Sequence, residues 1–249
     1  MKTMRNLKTL LAGLLLVPAL ALASGGPELD RAPNVSGDKA ALQNGAKLFV
    51  NYCQGCHGLS AIRYNRLTDL GLSEKQIMEN LVFSDGKIGD QMTTAMSAAD
   101  AKKWFGAAPP DLSLVARARA SEEGSGADWL YTYLRTFYRD ESRATGWNNV
   151  AFDKVGMPHI LAGLQGVQEL VEMEGADSHA KPTFKLVQQG QYAPAEYDKQ
   201  VGDLVGFLTW AAEPQAALRT QLGIAVLVFL GVLFVFAYLL KKDYWKDVH

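Results

Sequence analysis

The sequence predicts a mainly α-helical protein in which a helical domain with long loop insertions precedes one C-terminal transmembrane helix. Apolar side chains recur at helical spacing near residues 38–52, 127–140 and 195–212. Residues 141–191 are rich in glycine and polar side chains and show little periodicity, which is typical of loops. The run 222–240 contains no charged residue, and as a helix it would span roughly 28 Å at about 1.5 Å per residue.

The N-terminus is predicted to be an export signal over residues 1–23. Three basic residues precede an apolar run at residues 10–22, and Ala21-Leu22-Ala23 offers a small-x-small cleavage site. The run is short for a membrane span and lacks the amphipathic, Arg- and Ser-rich pattern of an organelle transit peptide. Bacterial secretion is therefore favoured, and an uncleaved anchor is the alternative. Residues 24–37, rich in glycine, proline and polar side chains, are predicted to be a linker.

The helical domain is predicted to span residues 38–214 and to open with a helix capped by Asp38. Gly45 and Phe49 lie one turn apart on one face of this helix. A glycine there permits the close approach of another helix, and the aromatic ring fills the space beside it. An ordinary core helix accounts for the two residues equally well. A helix over residues 195–212 closes the domain.

The transmembrane helix is predicted over residues 219–241, followed by a tail at residues 242–249. Lysines follow the apolar run, and Tyr244 and Trp245 are suited to the membrane interface. Because positive charge marks the cytoplasmic side, the tail is expected in the cytoplasm and the domain in the periplasm. Together with the export signal, this predicts a single-pass protein of the bacterial inner membrane. The alternative is a buried helix of a soluble protein.

Both cysteines of the chain lie in one stretch, Cys53-Gln54-Gly55-Cys56-His57. This is the C-x-x-C-H pattern of c-type haem attachment. Two thiols one helical turn apart can each add to a vinyl group on one porphyrin edge, and the following imidazole then lies over the ring near the iron. The alternatives are a thioredoxin-like redox pair, half of a zinc site or a structural disulfide. A zinc site would need a second ligand pair, which no further cysteine supplies.

From Gly45 to His57 the chain resembles the opening helix and haem motif of class I cytochromes c. Later blocks narrow the resemblance to cytochrome c1, the haem-carrying subunit of the ubiquinol–cytochrome c reductase (cytochrome bc1) complex. In the family's order, these blocks are Arg63-Tyr64-Asn65-Arg66-Leu67, Ala108-Pro109-Pro110-Asp111-Leu112-Ser113, Arg117-Ala118-Arg119, Gly156-Met157-Pro158 and Trp210-Ala211-Ala212-Glu213-Pro214. The resemblance extends from about residue 35 to the C-terminus. It implies a class I cytochrome c-like domain with one covalently bound haem c.

The iron needs a second axial ligand besides His57. Met157 lies between Gly156, which gives the backbone freedom, and Pro158, which favours an extended residue before it. Most methionines only fill cores, so the residue type alone does not decide the ligand. Resemblance to the family's axial-methionine loop favours Met157, and His159 is the alternative. A His/Met pair raises the haem potential relative to two histidines.

Two further segments are expected at the haem. Pro109-Pro110-Asp111 is stiff and extended, and its carbonyls could accept the Nδ1 proton of His57; a turn capped by the aspartate is equally compatible. Arginine gives a planar fork for a carboxylate, so Arg117 and Arg119 are candidate partners of the haem propionates. The family motif favours Arg119, and a solvated surface arginine is the alternative. Trp129 stands where family members often have tyrosine, so no propionate contact is expected there.

The composition bears on partners. The net charge of −1 and 48% hydrophobic content indicate neither disorder nor nucleic-acid binding. Residues 24–217 nevertheless hold 24 acidic and 18 basic side chains, and an acidic domain suits a basic partner. An acidic cluster lies near a predicted short hairpin around Gly175-Ala176-Asp177 and is a candidate docking site for a basic cytochrome; its members are Glu169, Glu172, Glu174 and Asp177.

Three functions fit a membrane-tethered monohaem domain. The resemblance implies an electron-transfer subunit that assembles with cytochrome b, takes single electrons from a Rieske iron–sulfur protein and passes them to a soluble cytochrome c. The alternatives are a free-standing anchored carrier or a c-type subunit of a terminal oxidase, and an enzyme such as a peroxidase. A peroxidase needs an open coordination site, which Met157 would close. The extra length after Arg119 and the C-terminal tail favour the first function, in which the chain is not an enzyme by itself.

Overall fold

The computed structural model describes residues 28–173 and 182–246, so the predicted signal peptide lies outside the described residues. The helices are α1 (Lys39–Leu48), α2 (Glu74–Asn80), α3 (Ala98–Phe105), α4 (Val115–Ala118), α5 (Gly126–Arg135), α6 (Ala162–Gln165), α7 (Pro194–Ala212) and α8 (Ala216–Tyr244). The strands form three antiparallel pairs, namely β1 (Leu59–Arg63) with β2 (Gln91–Met92), β3 (Phe137–Arg139) with β4 (Trp147–Asn149), and β5 (Gly166–Met173) with β6 (Pro182–Gln189). The predicted mainly α architecture with one long apolar C-terminal helix is confirmed.

Helix α1 begins at the cap that the sequence predicts. The Asp38 carboxylate accepts the backbone N–H of Ala41 at 3.1 Å, which satisfies one of the N–H groups left unpaired in the first turn. After Leu48 the helix widens into a π-helical turn, Phe49–Cys53. The chain therefore reaches the cysteine motif still in helical form.

Helices α1 and α7 cross at Gly45, so the close approach that a glycine permits at this position is present. A Cβ added to Gly45 would lie 2.1 Å from the carbonyl oxygen of Asp203, so only glycine permits this approach. One turn later, the rings of Phe49 and Phe207 pack with centroids 5.9 Å apart. Asn44 donates a side-chain hydrogen bond across the crossing to the Asp203 carboxylate at 2.8 Å. The crossing fixes the direction in which α1 presents its C-terminal turn.

Helix α5 ends earlier than the sequence pattern suggests. It starts with a capping box between Ser125 and Asp128 and ends at Arg135. The prediction that the helix continues to residue 140 is wrong, because Phe137–Arg139 form strand β3 and pair with β4. Aromatic side chains favour such a half-buried strand, and its partner β4 follows shortly after it in the chain.

Residues 141–191 hold more regular structure than the predicted loops. Strands β5 and β6 form a hairpin whose register runs from Gly166↔Gln189 to Met173↔Pro182. Gly166 has φ +97, and a Cβ there would lie 2.3 Å from the carbonyl oxygen of Gln188. The predicted hairpin around residues 175–177 is confirmed by this antiparallel pairing on either side of them, while residues 174–181 themselves lie outside the described part of the chain.

The N-terminal segment from residue 28 to 37 has no helix or strand but packs on the domain. The backbone N–H of Asp30 donates to the Thr132 hydroxyl at 2.8 Å, and that of Ala32 donates to the Asp128 carboxylate at 2.8 Å. Arg135 bridges Asp30 and Asp198 with hydrogen bonds of 2.6–2.9 Å. These contacts join the segment to α5 and α7.

Helix α8 carries the apolar run. From Leu218 to Tyr244 every side chain is exposed, and the helix is long and apolar enough to cross a membrane. It follows Pro214 closely, and Arg219 in its first turn pairs with Glu213 at 2.6 Å. One candidate membrane span therefore stands in the described part of the chain, where the sequence places it.

Candidate haem site

The cysteine motif forms a single turn at the end of α1. The backbone N–H groups of Cys56 and His57 both donate to the carbonyl of Cys53, at 3.0 and 2.8 Å. Both cysteine side chains are half-buried, and their sulfur atoms are not joined in a disulfide. Burial, with a smaller contribution from Cys56, raises the pKa of the Cys53 thiol to about 12, so it is protonated at neutral pH. The turn thus presents two cysteine side chains and an imidazole together.

The imidazole of His57 is held by a backbone carbonyl. Its Nδ1 lies 2.7 Å from the carbonyl oxygen of Pro110, which confirms the contact predicted from the sequence. A carbonyl only accepts, so Nδ1 carries the proton and Nε2 keeps its lone pair for a metal. Burial lowers the pKa of His57, opposed by the Pro110 carbonyl and by Asp111. A neutral imidazole with a fixed tautomer is the form that binds iron.

Asp111 fixes the segment that supplies this carbonyl. Its carboxylate accepts the backbone N–H groups of Ser60 and Ser113, both at 2.9 Å. The N–H of Leu112 donates to the carbonyl of Gly58 at 2.8 Å, directly after the motif. Asp111 therefore closes a local turn and ties it to the motif; the residue that caps α4 is Leu114.

Met157 lies half-buried on the loop between β4 and α6. The Tyr133 hydroxyl of α5 donates a hydrogen bond to its Sδ atom at 3.4 Å. Burial raises the pKa of Tyr133, opposed by Arg119, so the phenol remains a donor at neutral pH. The sulfur atom of the predicted ligand Met157 is thus held by the side chain of Tyr133.

Two adjacent asparagines shape the loop that leads to Met157. The Asn149 carboxamide is 1% exposed; its Nδ2 donates to the Tyr133 carbonyl at 2.7 Å, and its Oδ1 accepts the N–H groups of Ala151 and Phe152. The Asn148 Oδ1 accepts the N–H of Lys154 at 2.9 Å, and Lys154 has φ +58. These bonds hold a non-glycine residue in the left-handed region, which an isolated chain disfavours.

His159, the alternative ligand, is directed into the core. It is 6% exposed, its ring stacks on Phe137 at 4.8 Å and 5°, and it meets the edge of Trp147 at 5.0 Å. Burial, opposed by Gln165, lowers its pKa to about 4. Because its ring is already packed, His159 anchors the Met157 loop, and this geometry favours Met157 as the ligand.

Arg119 is exposed and lies on the Met157 side of the site. Its guanidinium is 4.4 Å from the centre of the Trp129 ring and 5.5 Å from that of Phe152. Trp129 in turn stacks on Tyr133 at 4.8 Å. Arg117 is directed elsewhere, 4.0 Å from Glu213 beside the start of α8.

The structure brings the predicted residues into two groups. Cys53, Cys56 and His57 form one with Pro110, and Met157 and Arg119 form the other through Trp129 and Tyr133. Across residues 28–173 and 182–246, no hydrogen bond, ion pair or ring contact joins His57 to Met157. Neither Tyr133 nor Asn149 was among the site residues predicted from the sequence. The adjacent polar pair Asn148-Asn149 was the one signal that could have marked this loop.

A thiol pair and a histidine whose Nδ1 meets a backbone carbonyl, all on one turn of the chain, define a c-type cytochrome, and helix α8 is a candidate membrane span. Residues 31–248 match the Cytochrome C1 family, and the chain belongs to it. It is 52% identical to cytochrome c1 of Allochromatium vinosum, over 95% of this chain and 96% of that protein. It is also 49% identical to a Nitrosomonas europaea protein named ammonia monooxygenase gamma subunit, over 99% of this chain and 100% of that protein.

A third relative is cytochrome b/c1 of Bradyrhizobium diazoefficiens, 31% identical over 85% of this chain and 34% of that longer protein. Proteins of the cytochrome c1 family carry one covalent haem c. They are electron-transfer subunits of the cytochrome bc1 complex, and the complex as a whole is the oxidoreductase. Fold, cofactor and the bc1 context therefore follow from the family.

Proposed function

We propose that this chain carries single electrons from a Rieske iron–sulfur protein to a soluble cytochrome c, as the haem subunit of a quinol–cytochrome c oxidoreductase that also contains cytochrome b. The observation that carries this proposal is the cysteine turn with His57 Nδ1 2.7 Å from the Pro110 carbonyl. It supplies two attachment points and one oriented, neutral imidazole at one place.

The residues present fit a covalently attached haem. Cys53 and Cys56 would form the two thioether bonds, His57 Nε2 and Met157 Sδ would be the iron ligands, and Arg119 would meet a propionate. When bound, the haem supplies a reversible one-electron change at its iron. The thioether sulfur and the imidazole nitrogen are the donor types of a high-potential electron carrier.

The chain's own residues orient these donors. Pro110 holds the proton on His57 Nδ1, and Asp111 holds the Pro110 segment through two backbone N–H groups. Met157 would be the second iron ligand, which would leave no open coordination site for a peroxidase reaction. Electron transfer is therefore favoured over catalysis at the haem.

The proposed topology places residues 38–214 as a periplasmic haem domain and residues 219–241 as the span in a bacterial inner membrane, with residues 242–249 in the cytoplasm. The exposed apolar face of α8 supports the membrane contact. Lys241, Lys242 and Lys246 follow the run and support the orientation. Protease added to intact spheroplasts is expected to digest the haem domain; protection there with digestion from the cytoplasmic side would contradict this topology.

The acceptor is proposed to be a basic soluble cytochrome c. The acidic excess between residues 24 and 217 supports this choice. Of the predicted acidic cluster, only Glu169 has a described side chain; those of Glu172, Glu174 and Asp177 lie outside the described part. Such an encounter should be brief and should weaken as salt is raised.

Purification in mild detergent tests the assembly. Cytochrome b and an iron–sulfur protein are expected to co-purify with the chain, and a quinol-site inhibitor is expected to block reduction of its haem in isolated membranes. Purification of the chain alone, with haem reduction insensitive to the inhibitor, would instead support the alternative of a free-standing carrier or a terminal oxidase subunit.

A further inference from the structure

We propose that Tyr133 is a positioning residue for Met157 and raises the haem potential through its hydrogen bond to the methionine sulfur. This inference rests on the proposed role of Met157 as an iron ligand. Its observation is the 3.4 Å contact between the Tyr133 hydroxyl and Met157 Sδ, within the range for a hydrogen bond to sulfur. Tyr133 was not among the predicted site residues, so this is an additional function for a side chain of α5.

The ring of Tyr133 is held on two sides. Trp129, one turn earlier, stacks on it at 4.8 Å and 12°, and Phe137 meets it edge-on at 5.0 Å and 70°. Aromatic contacts at these distances restrict the side chain to one orientation. The hydroxyl is therefore aimed at the sulfur by packing before any ligand is bound.

The loop that carries Met157 is tied to the same helix and strand on both sides of the methionine. Before it, Asn149 joins the Tyr133 carbonyl, at 2.7 Å, to the backbone N–H groups of Ala151 and Phe152. After it, His159 stacks on Phe137, which itself contacts the Tyr133 ring. The hydroxyl donor and the sulfur acceptor are thus both held by contacts to α5 and β3, and their hydrogen bond does not depend on a mobile surface side chain.

The hydrogen bond has an electronic consequence for a ligating sulfur. A thioether sulfur has two lone pairs, so one can accept the hydrogen bond from the phenol hydroxyl while the other remains free to bind a metal. Donation from the hydroxyl withdraws electron density and makes the sulfur a poorer donor to ferric iron, which favours the ferrous state. Partners of a metal ligand commonly tune the metal in this way.

The test compares three variants of the full-length protein in detergent by potentiometric titration. Tyr133→Phe keeps the ring and removes the hydroxyl; we expect the equilibrium constant for haem reduction to fall about threefold, which is about 30 mV at 59 mV per tenfold for one electron. Met157→Leu should lower the potential far more and admit carbon monoxide to the ferrous iron. Tyr192→Phe is the matched control, because the Tyr192 hydroxyl makes no hydrogen bond to the described part of the chain, and its potential should not change.

The outcomes separate this inference from the proposed function. An unchanged potential in Tyr133→Phe, beside a large fall in Met157→Leu, would overturn the role of Tyr133 and leave the ligand in place. An unchanged potential in Met157→Leu would remove Met157 from the iron and the inference with it. A lower melting temperature in Tyr133→Phe without a shift in potential would show packing alone, and an equal shift in Tyr192→Phe would show a nonspecific effect; both overturn the inference.

Discussion

The Nδ1 atom of His57 lies 2.7 Å from the carbonyl oxygen of Pro110. The acceptor belongs to the backbone, so no side-chain substitution at Pro110 removes it. Its position depends on Asp111, which accepts the N–H groups of Ser60 and Ser113. The orientation of the imidazole is therefore a property of a short segment about fifty residues further along the chain, and Asp111 is the place to perturb it.

Replacing Asp111 with alanine removes both of these acceptor bonds. We expect the free energy of unfolding to fall by about 1–2 kcal/mol, since a local side-chain-to-backbone bond of this kind contributes about 1 kcal/mol. Chemical denaturation of the detergent-solubilised protein measures the change. Asp85→Ala is the control, because Asp85 is exposed and makes no hydrogen bond in the described residues. Equal losses in the two variants would mean that Asp111 does not hold the segment.

Replacing Gly45 with alanine should strain the helix crossing. The added Cβ would lie 2.1 Å from the Asp203 carbonyl oxygen and 2.6 Å from Phe207 Cβ, so α1 and α7 must separate. Overpacking of this kind costs about 1–3 kcal/mol and sometimes more. Gly163→Ala is the matched control, since a Cβ there meets nothing within 4 Å. Thermal unfolding should show a clear loss for the first variant only; two equal melting temperatures would contradict the crossing.

Features that depend on residues close together in the chain could be predicted from the sequence. Gly45 and Phe49 stand one turn apart, so the face that they share could be predicted from their spacing alone. The contact between Tyr133 and Met157 joins residues 24 positions apart across a loop whose course depends on buried amides, and periodicity does not contain that information. The same limit explains the end of α5, where pairing with β4 overrides the helical pattern.

Replacing Asn149 with alanine should release the Met157 loop. The buried carboxamide serves three backbone groups, those of Tyr133, Ala151 and Phe152, and its loss leaves them without that partner. Each unsatisfied buried polar group costs about 1–3 kcal/mol before the structure relaxes around it. We therefore expect the free energy of unfolding to fall by about 2–3 kcal/mol. Carbon monoxide binding by the ferrous protein should also increase as the loop loosens.

Asn80→Ala is the control for this change, because the exposed Asn80 amide bonds, among residues 28–173 and 182–246, only the carbonyl of Gln76, one turn before it. It should leave both the melting temperature and carbon monoxide binding close to those of the wild type. If Asn149→Ala behaved in the same way, the asparagine would not be what shapes the loop.

Asp128 gives the attachment of the N-terminal segment a dependence on pH. Partial burial raises the pKa of this carboxyl, but hydrogen bonds from Ser125 and the N–H of Ala32 outweigh it, so the pKa lies below its ordinary value of 3.8. A carboxyl with a depressed pKa stabilises the fold above its unfolded pKa, and this contribution is lost as the pH falls through the folded value. The stabilisation is therefore complete at neutral pH and declines only in acid.

Asp128→Asn tests this directly, because the amide cannot serve as acceptor for both Ser125 and Ala32. At neutral pH the variant should be less stable than the wild type by about 0.5–1 kcal/mol, a modest figure because the carboxyl is mostly exposed. The difference in unfolding free energy should stay constant above about pH 4 and shrink below it, since only the wild type then loses a charge at this position. A difference that grew as the pH fell would reverse the sign of the linkage and show that the carboxylate does not stabilise this junction.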